Sequence, residues 1–302
     1  MNRYFIDLGF DGTNYHGWQI QPNGISVQEC LQKGLSTLLR TETEVVGAGR
    51  TDAGVHARRM VAHFDYEGTL EVQDLAYKLN RILPRDIAVY EVRAVDNDLH
   101  ARFSATARTY HYYIHQQKDP FLRRYSCELR YPLDFDAMNE AASHLLQVED
   151  FGAFCKSGSD VKTTLCKVTE ARWIPIPHHL TPIPHHQGAS WCFVITANRF
   201  LRNMVRAVVG TLIEVGRHRM TLDEFDAVIR TGKRTEAGES MPGHALFLWD
   251  VAYLQPPSRT EFAPPLPSPK GGEKSLQGGL GESCSNINTN KLNSPPFGRS
   301  RR

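Results

Sequence analysis

Apolar positions along the first 254 residues follow two periods, and the period switches at turn signals. Residues 3–10 alternate as a strand does, and Asp11-Gly12-Thr13-Asn14 interrupts them. Val27, Leu31, Leu35, Leu38 and Leu39 then recur at helical spacing. They stand behind Ser26-Val27-Gln28-Glu29, a capping-box pattern in which the serine oxygen and the glutamate satisfy free backbone donors. The spacing predicts an amphipathic helix over 27–40. Residues 45–49 and 58–66 read as strands around a Gly-rich turn. Residues 72–82 read as a helix stopped by Pro84, and 87–95 as a strand.

The pattern repeats loosely afterwards. Residues 107–115 predict a strand, 136–146 a helix, and 167–173 with 190–197 an antiparallel pair. Helices follow over 201–217 and 222–229, the second behind another capping box, Thr221-Leu222-Asp223-Glu224, and 246–253 closes as a strand. Each half runs β-α-β-β-α-β, the split unit of ferredoxin-like and RNA-recognition folds. The expected class is α+β, with units over 1–103 and 104–254 set side by side around a central cleft.

Two segments fall outside that plan. Pro-Ile-Pro-His-His occurs twice within 174–187, at 175–179 and 182–186. Four clustered histidines suit a transition metal, but no Cys or carboxylate lies within the repeat, and an elongated hairpin loop accounts for it more simply. Residues 255–302 hold 8 Pro, 6 Gly and 7 Ser with Phe262 and Phe297 the only aromatics, and are expected to be a disordered tail.

Charge changes the picture only when divided. The 302 residues carry 35 Lys+Arg and 33 Asp+Glu, a formal +2. Seven of the basic and three of the acidic residues lie in 255–302, leaving 28 basic and 30 acidic before them. A nucleic-acid interface must therefore come from a local cluster, because the body is slightly acidic on average. No apolar stretch is long enough to span a membrane, and Asp7 arrives too early for the apolar core of a signal peptide. The six cysteines show no metal-ligand spacing, so free thiols in a reducing cytoplasm are expected.

Three segments carry candidate chemistry. Gly47-Ala48-Gly49-Arg50-Thr51-Asp52-Ala53-Gly54-Val55-His56-Ala57 sets Arg, Asp and His among three glycines between two strands. An Asp beside Arg50 would stay ionised, and an ionised carboxylate serves as nucleophile, general base or metal ligand. A tight turn with a surface ion pair would use the same residues. In 100–113, alternation sends Arg108, Tyr110 and Tyr112 to one face and Thr109, His111 and Tyr113 to the other. Aromatics interleaved with arginines stack a splayed-out base, or else are simply core. In 198–210, Met204, Val205, Val208 and Val209 form an apolar stripe with Arg202 and Arg206 at i,i+4 along its edge. There the arginines either reach into a cleft to hold an anion or sit solvated at the surface. Arg50, Arg58, Arg59, Arg102, Arg108, Arg199, Arg202 and Arg206 are the candidate RNA-facing cations.

In this order and at these separations, the three segments resemble the tRNA pseudouridine synthase A family. Tyr15-His16-Gly17-Trp18-Gln19, Ser26-Val27-Gln28-Glu29 and Gly243-His244-Ala245-Leu246-Phe247-Leu248 add to the resemblance, which covers about residues 3–254. It implies a cytoplasmic homodimer that isomerises uridine to pseudouridine at positions 38, 39 and 40 of the tRNA anticodon stem-loop, with no cofactor and no metal. It also implies that Asp52 is the nucleophile, Arg206 the basic residue paired with it, and Tyr110 a substrate contact. Arg50, Arg202 and Arg108 would bind substrate. The competing expectations are a non-catalytic RNA-binding module and a metal-dependent hydrolase built on Asp52, His56 and the His repeat.

Overall fold

The computed structural model describes residues 1–159, 161–176 and 190–254. Most of the Pro-His repeat and the whole of the 255–302 segment lie outside the described residues.

Among the described residues, nine strands form one mixed but mostly antiparallel sheet, and five α-helices accompany it. In chain order these are β1 (Asn2–Phe10), α1 (Val27–Leu39), β2 (Val46–Gly47), β3 (His56–Tyr66), α2 (Val72–Ile82), β4 (Ile87–Val95), β5 (Ala105–His115), β6 (Cys127–Glu128), α3 (Phe135–His144), β7 (Val168–Ile176), β8 (Ser190–Ala197), α4 (Met204–Gly216), α5 (Leu222–Thr231) and β9 (Leu246–Tyr253). The strand order is β4-β1-β3-β9-β5-β8-β7, with β2 beside β3 and β6 beside β5. Among the described residues, parallel pairing occurs at two places. His56 and Ala57 of β3 meet Phe247 and Leu248 of β9, and Ile114 and His115 of β5 meet Cys127 and Glu128 of β6.

That two-residue join matters for the site. Beyond Ala57, β3 leaves β9 and takes β2 as its neighbour instead, at Ala62 and His63. The sheet opens between them, and residues 48–55 run from β2 to β3 at that opening.

Local chemistry sets the element ends. The Ser26 hydroxyl accepts from the Glu29 N–H, but the Glu29 carboxylate turns to Lys33 one helical turn on, so only half of the capping box forms. At α5 both halves form between Thr221 and Glu224. The structure corrects three sequence expectations here. The 45–49 strand shrinks to Val46–Gly47, because the chain from Ala48 onward is taken up by the loop. The short parallel strand β6 carries no periodic signal. α4 begins at Met204 rather than 201, since Asn203 adopts a left-handed conformation (φ 68°) and stops the helix there.

Packing surrounds α4 most completely: every residue from Val208 to Ile213 is buried, including Thr211, whose hydroxyl bonds back to the Ala207 carbonyl. Phe151, Phe154, Phe193 and Phe225 are fully buried in the same core. A charged group is buried too. Asp7 receives Nη2 of Arg59 at 2.8 Å and lies 3.0 Å from Nη1 of Arg93, while Arg59 also holds Asp250 at 2.7 Å. Arg59 is thus tied to two carboxylates, which leaves it less free to act as one of the candidate RNA-facing cations. No described helix is long and apolar enough to cross a membrane. The five described cysteines are all unpaired.

Candidate active site

The loop 48–55 is braced on three sides. From the first side, Trp18 N–H donates to the Thr51 carbonyl at 3.3 Å, and the Gly54 N–H donates to the Tyr15 carbonyl at 3.2 Å. From the second, His56 Nε2 lies 2.9 Å from the His244 carbonyl while its Nδ1 accepts from the Gly12 N–H at 3.0 Å. From the third, Arg108 Nη2 donates to the Ala48 carbonyl at 3.0 Å. Within the loop, the Asp52 carbonyl accepts from Val55 N–H across a turn. Gly54 takes φ +75° there, a conformation that side chains resist. This bracing gives a physical role to the Tyr-His-Gly-Trp-Gln and Gly-His-Ala-Leu-Phe-Leu segments: they hold the Asp52 loop.

Asp52 is delivered to α4. Its Oδ2 lies 3.3 Å from Arg206 Nη1, and its Oδ1 lies 4.0 Å from Arg202 Nε. The carboxylate and Arg206 are 29% and 23% exposed, so the pair is sheltered yet open to a ligand. Arg202 is 61% exposed and belongs to the turn before α4, not to the helix edge. Arg206 is itself fixed, because its Nε donates to the Met241 carbonyl at 2.5 Å. The bond comes from the 237–242 segment, which sequence periodicity does not mark. Asn203 and Arg234 both bond to the Ser240 hydroxyl and stiffen that segment.

Arg50, adjacent in sequence to Asp52, is exposed and forms no ion pair among the described residues. The Arg50–Asp52 pairing suggested by adjacency is therefore absent among the described residues, and the Arg206–Asp52 pairing implied by the resemblance is present. The carboxylate is held by cations 150 and more residues away instead.

Tyr110 lies on β5, where it faces Ile195 of β8 and Leu248 of β9. Its ring is buried and meets Phe200 edge-on at 4.9 Å. Burial pushes its phenol up to about 12, and the nearby Asp52 charge adds to the effect against Arg108. A phenol so raised is protonated at neutral pH, which suits it to pack against a base or donate a hydrogen bond. Tyr112, on the same face, is buried and donates to the Pro242 carbonyl. On the opposite face His111 stacks flat on Trp249 at 4.1 Å, so the alternation predicted for β5 holds.

Arg108 is placed differently from the expectation. Its guanidinium donates to the carbonyls of Ala105, Asn198, Ala48 and Arg102, which leaves little capacity for a substrate. It works as a strut joining β5, β8, the Asp52 loop and the 100–104 turn. His56 is engaged through both ring nitrogens and stacks on Phe247 at 4.5 Å. Among the described residues no group of three or more His, Cys, Asp or Glu is arranged to hold a metal ion.

A sheltered carboxylate, two arginines and a buried aromatic at the opening of a sheet can engage a planar, uncharged ring joined to an anionic backbone. The family profile described as tRNA pseudouridine synthase matches residues 9–104 and 141–254. The chain is 57% identical over 256 residues to the tRNA pseudouridine synthase A of Bacteroides fragilis, covering 84% of this chain and 98% of that one. The chain belongs to the tRNA pseudouridine synthase A family.

Other members are similar over nearly their whole length. The Bacteroides thetaiotaomicron protein of that name is 53% identical over 276 residues, with 90% of this chain and all of that one covered. The Acetivibrio thermocellus protein is 38% identical over 255 residues, with 84% and 100% covered. This tRNA pseudouridine synthase is therefore an isomerase acting on tRNA, and the Asp52 loop and α4 both lie within the profile match.

Proposed function

We propose that the chain isomerises uridine to pseudouridine at positions 38, 39 and 40 of the tRNA anticodon stem-loop, with Asp52 as its nucleophile. The observation that carries this reading is the Asp52 carboxylate, held 3.3 Å from a fixed Arg206 beside the buried Tyr110. The reaction breaks the bond between uracil N1 and ribose C1′, turns the ring, and forms a bond from C1′ to C5. The proton on C5 is lost to solvent and N1 gains one, so the net change is an isomerisation.

An anionic carboxylate serves each route to that result: attack at C1′, assistance to a glycal intermediate, or addition to C6 of the ring. Arg206 offsets the cost of sheltering the charge from water and keeps it aimed. Tyr110 offers its face to the turning base. The target base must leave its stack to arrive here, at a cost of roughly a few kcal/mol. Exposed Arg50 and Arg202 are suited to hold the displaced strand, whereas Arg108 acts by bracing the loop.

The two halves are read as two β-α-β-β-α-β units, over 1–103 and 104–254, fused through the short β3–β9 join. The first contributes Asp52, and the second Tyr110 and Arg206. The resemblance adds a homodimer, which sedimentation would test by a mass near twice that of one chain.

The decisive experiment uses unmodified tRNA carrying tritium at uridine C5. Wild type should release tritium and Asp52→Ala should not. Release confined to transcripts with uridine at 38, 39 or 40 would support the site assignment. No release from wild type would sink the reading, and equal release from both would sink the role of Asp52.

A further inference from the structure

The turn at 99–104, between β4 and β5, is fixed at nearly every polar atom yet presents a bare aromatic ring. Ala101 is fully buried; its N–H donates to His63 Nδ1 and its carbonyl accepts from the Tyr253 hydroxyl. The N–H groups of Arg102 and Phe103 both donate to His100 Nδ1, and Ser104 closes the turn by bonding His100 through its hydroxyl and its N–H. Arg3 holds the Leu99 carbonyl from the other side. From this frame Phe103 projects with 75% of its surface exposed. The His100 ring lies 4.3 Å from it, and the Arg102 guanidinium sits over it at 5.6 Å.

An exposed Phe gains nothing for the fold, and burial elsewhere would favour it by roughly 1.5–3 kcal/mol. The surroundings argue for a particular ligand. A single ring flanked by an arginine and a histidine is no broad apolar patch of the kind that meets another protein. It does match the stacking platforms that take bases from single strands, where the ring meets the base and the cation a phosphate. Arg108 supplies the geometric link. One Nη2 atom donates both to the Arg102 carbonyl of this turn and to the Ala48 carbonyl of the Asp52 loop. Turn and loop are thereby held at a fixed spacing. Arg108 is two residues from Tyr110, about 7 Å of strand.

We propose that Phe103, with Arg102 and His100, is a stacking platform for an unpaired base of the RNA neighbouring the target uridine, held in register with Asp52 by Arg108. The proposal rests on the reading of the chain as a tRNA-uridine isomerase. It assigns Phe103 to substrate binding and leaves the bond-making atoms to Asp52.

The test compares full-length wild type with Phe103→Ala, Phe103→Leu and Phe103→Trp on an anticodon-arm hairpin. Tritium release is measured as a function of RNA concentration. Phe103→Ala and Phe103→Leu should raise KM roughly 10-fold while kcat stays within about twofold, and Phe103→Trp should behave as wild type. A hairpin with 2-aminopurine at single positions flanking the target should lose fluorescence on binding wild type at one position, and Phe103→Ala should abolish that quench. Thermal midpoints should be unchanged, because the ring is exposed.

An unchanged KM for Phe103→Ala, or wild-type behaviour of Phe103→Leu, overturns the platform. So does a fall in kcat or thermal midpoint that accounts for the loss. A change in sedimentation without a change in KM would assign the ring to a protein contact, and the proposal would fail. Wild-type release on the same hairpin separates these outcomes from failure of the parent reading.

Discussion

Arg206 is held at two ends by two different groups, and its geometry explains why an arginine stands there. Nε reaches the Met241 carbonyl while Nη1 reaches Asp52, so one planar fork ties the carboxylate to a backbone segment. Lysine carries the same charge but has no second donor at that angle. Arg206→Lys should therefore fold normally and lose on the order of 100-fold in kcat, the scale of a misplacement near 1 Å, with KM nearly unchanged. Tritium release at saturating tRNA measures it, and a kcat within threefold of wild type would show that charge alone suffices. The sequence made Asp52 conspicuous because Gly-Arg-Thr-Asp-Ala-Gly-Val-His is dense in chemistry. Local spacing alone points to Arg50 as its partner, but neighbours in a turn point apart; only the family resemblance pointed to Arg206, which the structure sets 3.3 Å from the carboxylate. Met241 was invisible, as a carbonyl acceptor leaves no trace in residue type.

α4 keeps its place through a contact in which a side chain is missing. A Cβ at Gly210 would run into the Glu239 carbonyl, so the helix and the 237–242 segment approach backbone to backbone. The segment then holds the Met241 carbonyl under Arg206 and the Pro242 carbonyl over Tyr112. Gly210→Ala must push the two apart. We expect a loss of roughly 1–3 kcal/mol in stability, as for overpacked cores, together with a fall in kcat because Arg206 shifts from Asp52. Chemical denaturation and tritium release on the same preparation check both, and a stable variant with full kcat would separate the close approach from the site. The helices and most strands were readable from period and caps; β4 and α2 end where the pattern changes. The start of α4 was not, because Asn203 bends the chain into a left-handed conformation that no periodic signal announces. That bend takes Arg202 off the helix while leaving it within 4.0 Å of Asp52.

At the scale of the whole chain, the strand order could not be read along the sequence, because β3 and β9 meet through only two residue pairs, each 191 positions apart. Two consequences follow. The family profile ends at residue 254, and the Bacteroides fragilis relative is spanned almost completely by 84% of this chain. A chain ending at 255 should then release tritium from anticodon arms within about twofold of the full chain, and a large loss would place 256–302 in the site. The second concerns acid. His63 accepts the Ala101 N–H, and His111 lies flat on Trp249; burial lowers each from the ordinary 6.5 to about 4. Arg3 and His100 further depress His63, and Arg172 further depresses His111, where Glu170 opposes the shift. In the unfolded chain both titrate near 6.5, so between 6.5 and 4 the unfolded state binds more protons than the native one. Stability must fall as pH drops through that window and level off below it, by roughly 2–3 kcal/mol per histidine at most. Calorimetry from pH 7.5 to 4.5 should show the midpoint declining. His63→Gln, which keeps an acceptor for Ala101, combined with His111→Phe, which keeps the stack, should flatten the decline. If the double variant falls as steeply as wild type, the acid lability lies in other groups, the carboxylates or His100, His115 and His244, which burial also lowers, and not in these two rings.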